Sequence, residues 1–264
     1  MSDTEHLLVV KTVQSGAFRV LVEALKEILT DTNLIFEPTG IKMMATDNSD
    51  TVLIHMKLEA DKFEHYYCPE KTVIGLNMNN LYKLIKTMGN NDILTMAIPK
   101  MSPNRISLKI NNMEKQSQTI FRLNLLDLPH PEISIPPAKF ETELTLPSGD
   151  FQKIIRDMIN IGENIEIQSI GSELSLSCVG DFASQKTTLM PTTNDEKGLK
   201  YGDKIASPET PIQGVFSLKY LMLFTKCTNL CNQINMYIKN DYPLIIKYDV
   251  ASLGSIKLCL APNT

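Results

Sequence analysis

The sequence predicts an α+β protein of two similar domains, each made of antiparallel sheets backed by two helices. Three observations predict it: one unit is repeated along the chain, four stretches read as amphipathic helices, and short runs of strand character fill the space between them. Ser15-Gly16-Ala17-Phe18-Arg19 recurs as Ser148-Gly149-Asp150-Phe151-Gln152. Each copy opens an apolar set at helical spacing, Phe18, Leu21, Val22 and Leu25 in the first and Phe151, Ile154, Ile155 and Met158 in the second. Leu81 and Lys86 return as Leu221 and Lys226, Met96-Ala97-Ile98 as Met236-Tyr237-Ile238, and 121–125 as 256–260. Offsets that stay within a few residues of one another along the whole chain argue for duplication, with halves of roughly 130 residues, an ordinary domain size.

In chain order, 7–10 reads as a strand, about 15–29 as a helix, 34–36, 41–44 and 52–58 as strands, about 78–88 as a helix, and 93–96, 106–110 and 120–123 as strands. The second half offers strands at 143–146, 165–167, 174–178, 187–190, 215–216, 234–238, 244–248 and 256–260, with helices at about 149–160 and 217–227. Residues 124–137 break the pattern. Pro129, Pro131, Pro136 and Pro137 cannot sit in a central strand, so an extended, exposed linker is expected between a domain at 1–123 and one at 138–264.

Each predicted helix carries a basic pair opposite its apolar stripe: Arg19/Lys26, Lys83/Lys86, Lys153/Arg156 and Lys219/Lys226. At about 100° per residue, spacings of three and seven return to the same helical face. Taking these eight from the 26 Lys and Arg leaves 18 against 30 Asp and Glu, so the rest of the chain is acidic. Positive charge gathered on helices of a net-acidic protein points to a focused polyanion surface. Two of the helices also carry acids, Glu23 and Glu27 in one and Asp157 in another.

An ordered set of short motifs carries a resemblance. Glu23-Ala24-Leu25-Lys26, Gly40 to Asp47, Leu125-Leu126-Asp127-Leu128, Leu146 to Phe151, Arg156-Asp157-Met158, Tyr220-Leu221 with Phe224-Thr225-Lys226, Pro243-Leu244 and Leu260-Ala261-Pro262 run collinearly over nearly the whole chain. Together they resemble the sliding clamps of the proliferating cell nuclear antigen family. The resemblance implies a DNA-clamp fold in a head-to-tail homotrimeric ring, with helices lining the hole and sheets outside. It also implies sequence-independent contact with double-stranded DNA through Arg19, Lys26, Lys83, Lys86, Lys153, Arg156, Lys219 and Lys226. The partners it implies are DNA polymerase, a clamp loader and other proteins that carry clamp-binding peptides. Their peptides would enter a pocket under the linker walled by Thr46, Leu53, Ile133 or Ile135, Pro243, Leu260, Ala261 and Pro262. The place implied is intracellular: the nucleus in a eukaryote, otherwise the cytoplasm or a viral replication site. The alternative function is a duplicated peptide-binding scaffold that does not encircle DNA.

Three positions depart from the family pattern. Asp50 stands where many members have histidine, Gly171 where eukaryotic members carry a modifiable lysine, and the chain ends at Asn263-Thr264 without an acidic tail.

Enzyme readings find little support. The sequence lacks a Gly-x-Ser-x-Gly elbow, a phosphate-binding Gly-rich loop and a His-Glu-x-x-His pair, so neither catalytic residues nor cofactors are expected. Ser148-Gly149-Asp150 reads as a helix N-cap with an acid in the first turn, and Asp47 to Asp50 as a polar turn between strands. His6, His55, His65 and His130 have no metal-site spacing, and five cysteines at irregular spacings suit reduced thiols rather than a zinc site. No apolar run approaches the length of a membrane span.

Overall fold

The structure is a computed structural model that describes residues 3–130, 139–140, 142–192, 198–202 and 211–263. The chain divides into two compact units. The first holds Met1–Ala45, Ile54–Ile133 and Asp249–Ile256; the second holds Thr46–Leu53, Ser134–Tyr248 and Lys257–Thr264.

The first half of the chain runs β1 (His6–Thr12), α1 (Ser15–Ile28), β2 (Asp31–Glu37), β3 (Gly40–Thr46), β4 (Val52–Glu59), β5 (His65–Tyr67), β6 (Thr72–Asn77), α2 (Met78–Ile85), β7 (Ile93–Pro99), β8 (Arg105–Asn112) and β9 (Ser117–Asn124). One sheet has the order β5-β1-β7-β8-β9, and β4-β3-β2-β6 run side by side in another. The second half runs β10 (Thr142–Pro147), α3 (Ser148–Met158), β11 (Asn164–Ile170), β12 (Glu173–Val179), β13 (Ser184–Leu189), β14 (Lys200–Tyr201), β15 (Ile212–Ser217), α4 (Leu218–Phe224), a 3-10 turn (Thr225–Leu230), β16 (Gln233–Ile238), β17 (Leu244–Val250) and β18 (Gly254–Leu260). Its sheet orders are β13-β12-β11-β15 and β14-β10-β16-β17-β18.

The apolar sets that predicted the helices are the ones that pack. Phe18, Leu21, Val22 and Leu25 of α1 are buried, as are Phe151, Ile154, Ile155 and Met158 of α3. Met78, Leu81 and Ile85 of α2 and Leu218, Leu221 and Phe224 of α4 complete each core. The α2 helix begins at an Asn77 cap whose side chain accepts from Asn80 N at 2.9 Å, satisfying one of the orphan donors of a helix start.

Several expectations shift. The α4 helix stops at Phe224 instead of Cys227, because the Thr225 hydroxyl donates to Met222 O at 2.8 Å and that of Thr228 to Thr225 O at 2.7 Å. Such bonds to the carbonyl three residues back compete with regular helix and suit the tighter 3-10 turn. The Ser148 N-cap is also corrected. Pro147 occupies the cap position, and Ser148, already helical, donates its hydroxyl to Cys231 O at 2.6 Å. Ser15 does the same toward Gly89 O at 2.9 Å, so both copies of the repeat use this serine to hold the loop beyond the partner helix.

The strands β5, β6 and β14 were not expected from the sequence. In β6 the obstacle is Gly75, which lowers strand propensity, yet the fold requires it. A Cβ there would lie 2.4 Å from Leu126 O, and Leu126 N donates to Gly75 O at 2.9 Å. The beginning of the expected linker therefore lies along β6, and Asn33 Nδ2 holds Pro129 O at 2.9 Å. Residues 131–138 lie outside the described residues.

Candidate nucleic-acid interface

Within the first unit, α1 and α2 pack together and display their polar faces. Arg19 is half-buried; its Nη2 donates to Asn90 Oδ1 at 3.2 Å, and its Nε is buried without a hydrogen-bond partner. Lys26 is also half-buried, pairs with the Glu27 carboxylate and stands 4.9 Å from the Tyr82 ring centroid. The Tyr82 hydroxyl donates to Glu23 at 2.8 Å, and that bond, with burial as the next cause, raises its pKa. Lys83 and Lys86 are exposed and enter no ion pair among the described residues. No local pattern marks Asn90 as a partner of Arg19, since 71 residues separate them.

Within the second unit the basic side chains are freer. Lys153 and Arg156 of α3, Lys219 of α4 and Lys226 are exposed, and none enters an ion pair among the described residues. Lys219 lies 5.6 Å from the centroid of its neighbour Tyr220. Lys226 falls in the 3-10 turn, so the regular-helix argument that paired it with Lys219 does not hold. The position matching Arg19 is Gln152, whose Nε2 donates to Thr225 O at 3.1 Å, so a neutral amide does the tying here. Lys26, Lys83 and Arg156 stand in last helical turns, where cations also favour the helix itself through its dipole.

The residues expected to wall a peptide pocket are distributed as follows. Thr46 is exposed, and Leu53, Pro243, Ala261 and Pro262 are half-buried, while Leu260 is wholly buried and offers no side-chain surface to a ligand. Ile133 and Ile135 lie outside the described residues. Between Thr46 and Leu53 the chain turns on Asp47, which accepts from Thr51 N and Val52 N at 2.8 Å each. Burial opposes ionisation of Asp47, but the bonds from Ser49, Val52 and Thr51 outweigh it and lower its pKa. Ala261 N donates to Thr51 O at 3.0 Å, which ties the end of β18 to that turn.

Other expectations meet local findings. Gly171 adopts φ 53°, a left-handed conformation that side chains other than Asn and Asp rarely adopt, in the turn between β11 and β12. Asp50 is left-handed too, at φ 53°. Cys68, Cys178, Cys227, Cys231 and Cys259 are not joined in disulfides, and burial pushes Cys227 up to about 12 and Cys259 up to about 11. Among the described residues no group of three or more His, Cys, Asp and Glu could hold a metal ion, and no helix is long and apolar enough to cross a membrane.

Comparison with known proteins agrees with this architecture. The model of the proliferating cell nuclear antigen N-terminal domain matches residues 7–131, and that of its C-terminal domain matches residues 134–263. The chain is 36% identical over 266 residues to a protein of Paramecium bursaria Chlorella virus 1 named "Probable DNA polymerase sliding clamp 1", covering 99% of both chains. It is 29% identical over 257 residues to the proliferating cell nuclear antigen of Chaetomium thermophilum, covering 97% of this chain and 98% of that one. Two domain models matched in tandem on a duplicated chain of antiparallel sheets and helix pairs place it: the chain belongs to the proliferating cell nuclear antigen family and has its α+β DNA-clamp fold.

Proposed function

We propose that the chain is a sliding clamp, which encircles duplex DNA and tethers DNA polymerase and other replication and repair proteins as a non-catalytic processivity factor. The observation that carries this reading is the display of Lys83, Lys86, Lys153, Arg156, Lys219 and Lys226 on the helices and the turns that end them, in a chain whose net charge is −4. A clamp needs diffuse attraction to phosphates without base readout, and long mobile cations supply it. Screening over roughly 8 Å at physiological salt keeps each contact weak, so sliding costs little. Arg19 and Lys26 belong to the same DNA-facing set.

The ring is a head-to-tail homotrimer, each copy contributing a domain at 1–123, a linker at 124–137 and a domain at 138–264. Its joint is made by pairing β9 of one copy with β13 of the next. Both are terminal strands of their sheets, and Ile120, Phe182 and Met190 near them are 45%, 78% and 65% exposed. Open edges flanked by apolar side chains are otherwise a route to aggregation. Solution mass tests the ring. Three times the 29.6 kDa of one chain is expected at micromolar concentration, and a monomer would favour the non-encircling scaffold.

Partner peptides dock by one aliphatic and two aromatic anchors against Leu53, Pro243 and Pro262, with Thr46, Ala261 and Ile133 or Ile135 beside them and Leu260 beneath. The clamp loader uses the same chemistry, and the work is done in the nucleus, cytoplasm or viral replication site according to the host. Leu53→Asp should abolish binding of a polymerase-derived peptide in calorimetry, since such anchors commonly contribute about 2 kcal/mol or more, while trimer mass stays unchanged. Unaltered peptide affinity would move the pocket elsewhere.

A further inference from the structure

The five-stranded sheet of the first unit carries a charged row on the face turned away from its core. The register sets His65 beside Lys11, Lys11 beside Thr95, Thr95 beside Lys109 and Lys109 beside Ile120, in line across β5, β1, β7, β8 and β9. Lys11 is exposed between buried Val10 and Thr12, and Lys109 is half-exposed between buried Leu108 and Ile110, which fixes the face on which both stand. His65, Lys11, Thr95 and Lys109 line a recess of about 480 Å³ together with Asp3, Val9 and Asn111. Neither lysine enters an ion pair among the described residues. The carboxylate that lines the recess, Asp3, is already engaged by His65 Nε2 at 3.0 Å. Two like charges on one face, two strands apart, repel each other, and Asp3 is the single acid among the described residues that line the recess. The helix-borne cations proposed for DNA leave this pair unexplained.

We propose that this recess binds an acidic peptide segment of a partner protein, with carboxylates at i and i+3 of an extended chain set on Lys11 and Lys109. The geometry favours that ligand through spacing as well as sign. Neighbouring strands lie about 4.8 Å apart, which puts the two lysines about 10 Å apart at the backbone. A polyproline II chain has three residues per turn and rises about 3.1 Å per residue, so carboxylates at i and i+3 stand on one side about 9 Å apart. The Thr95 hydroxyl, midway between the lysines, is placed to bond the peptide backbone. Exposed ion pairs are individually weak and screened by salt, so the contact adds to the hold on a partner already tethered through another segment.

The test uses the full chain and a fluorescein-labelled peptide Glu-Ala-Pro-Glu-Ala-Pro-Glu, followed by fluorescence anisotropy at low salt, beside a copy with Gln in place of every Glu. Binding of the acidic peptide that weakens as salt rises is expected, with at least tenfold weaker binding of the Gln copy. Lys11→Glu combined with Lys109→Glu should lower affinity at least tenfold while a short DNA duplex binds as before. If the charge reversal fails to fold, as judged by circular dichroism, Lys11→Ala with Lys109→Ala should lower affinity at least threefold. No binding to the parent, or equal binding by the folded variant, overturns the proposal. A loss of duplex affinity in the variant would assign the row to nucleic acid and overturn it as well.

Discussion

The two helix pairs begin from the same repeated motif and use their charge differently. In the first, Arg19 reaches across to Asn90 and Lys26 is held between Glu27 and the Tyr82 ring, with Tyr82 in turn bonded to Glu23. In the second, Gln152 makes the comparable tie to Thr225 O, and Lys153 and Arg156 project freely. A cation on the polar face of a helix can therefore serve packing in one copy of a fold and display in the other. The glycines that follow the shared serines carry the same contrast. A Cβ on Gly16 would lie 2.5 Å from Asn90 Oδ1, whereas one on Gly149 would meet nothing within 4 Å.

The comparison breaks first if the shared cores are not equivalent. Phe18 and Phe151 are 3% and 0% exposed at matching places of the repeat, so replacing either with Ala should cost about 3–5 kcal/mol in denaturant unfolding. A loss below about 1 kcal/mol for one of them would mean the two helices are anchored by different means. The charge contrast is sharpened by DNA binding at graded salt. Lys153→Ala with Arg156→Ala should flatten the log K against log salt slope by about 1.8, near 0.9 for each phosphate contact. Arg19→Ala with Lys26→Ala should flatten it less than half as much and lower the melting temperature more. Equal slopes for the two double variants would show that the contacts seen in α1 do not restrain its cations.

The smallest effect is expected at the glycines. Gly149→Ala should stabilise by about 0.5 kcal/mol, because alanine gives up less backbone freedom on folding. Gly16→Ala should bring no gain, since Asn90 must move and release Arg19, and the gain should return when Asn90 is also replaced by Ala. A full gain from Gly16→Ala alone would show that Asn90 does not hold that position.

Much of the fold was legible because it is written in local periodicity. Four apolar stripes at helical spacing gave four helices within a few residues of their ends, and alternating runs such as Ile106 to Ile110 became strands. The repeated Ser-Gly-x-Phe motif gave the duplication, and the basic pairs on the polar faces gave the candidate surface. The short strands β5 and β14 left no periodic trace, being three and two residues long, and β6 was obscured by a glycine whose reason lies at Leu126. The end of α4 is not legible in the sequence, because the hydroxyls of Thr225 and Thr228 tighten the chain without altering its apolar pattern.

The sequence by itself determined the helix faces, the strand alternation and the doubled unit, since each depends on neighbours within a turn or two of the chain. Only the tertiary structure decided which charges are spent and which are displayed. Arg19 meets Asn90 across 71 residues and Tyr82 meets Glu23 across 59, while the charged row on the five-stranded sheet joins Lys11 to Lys109 through β7. Contacts of that span follow from which elements pack against one another, and no local pattern of side chains encodes them.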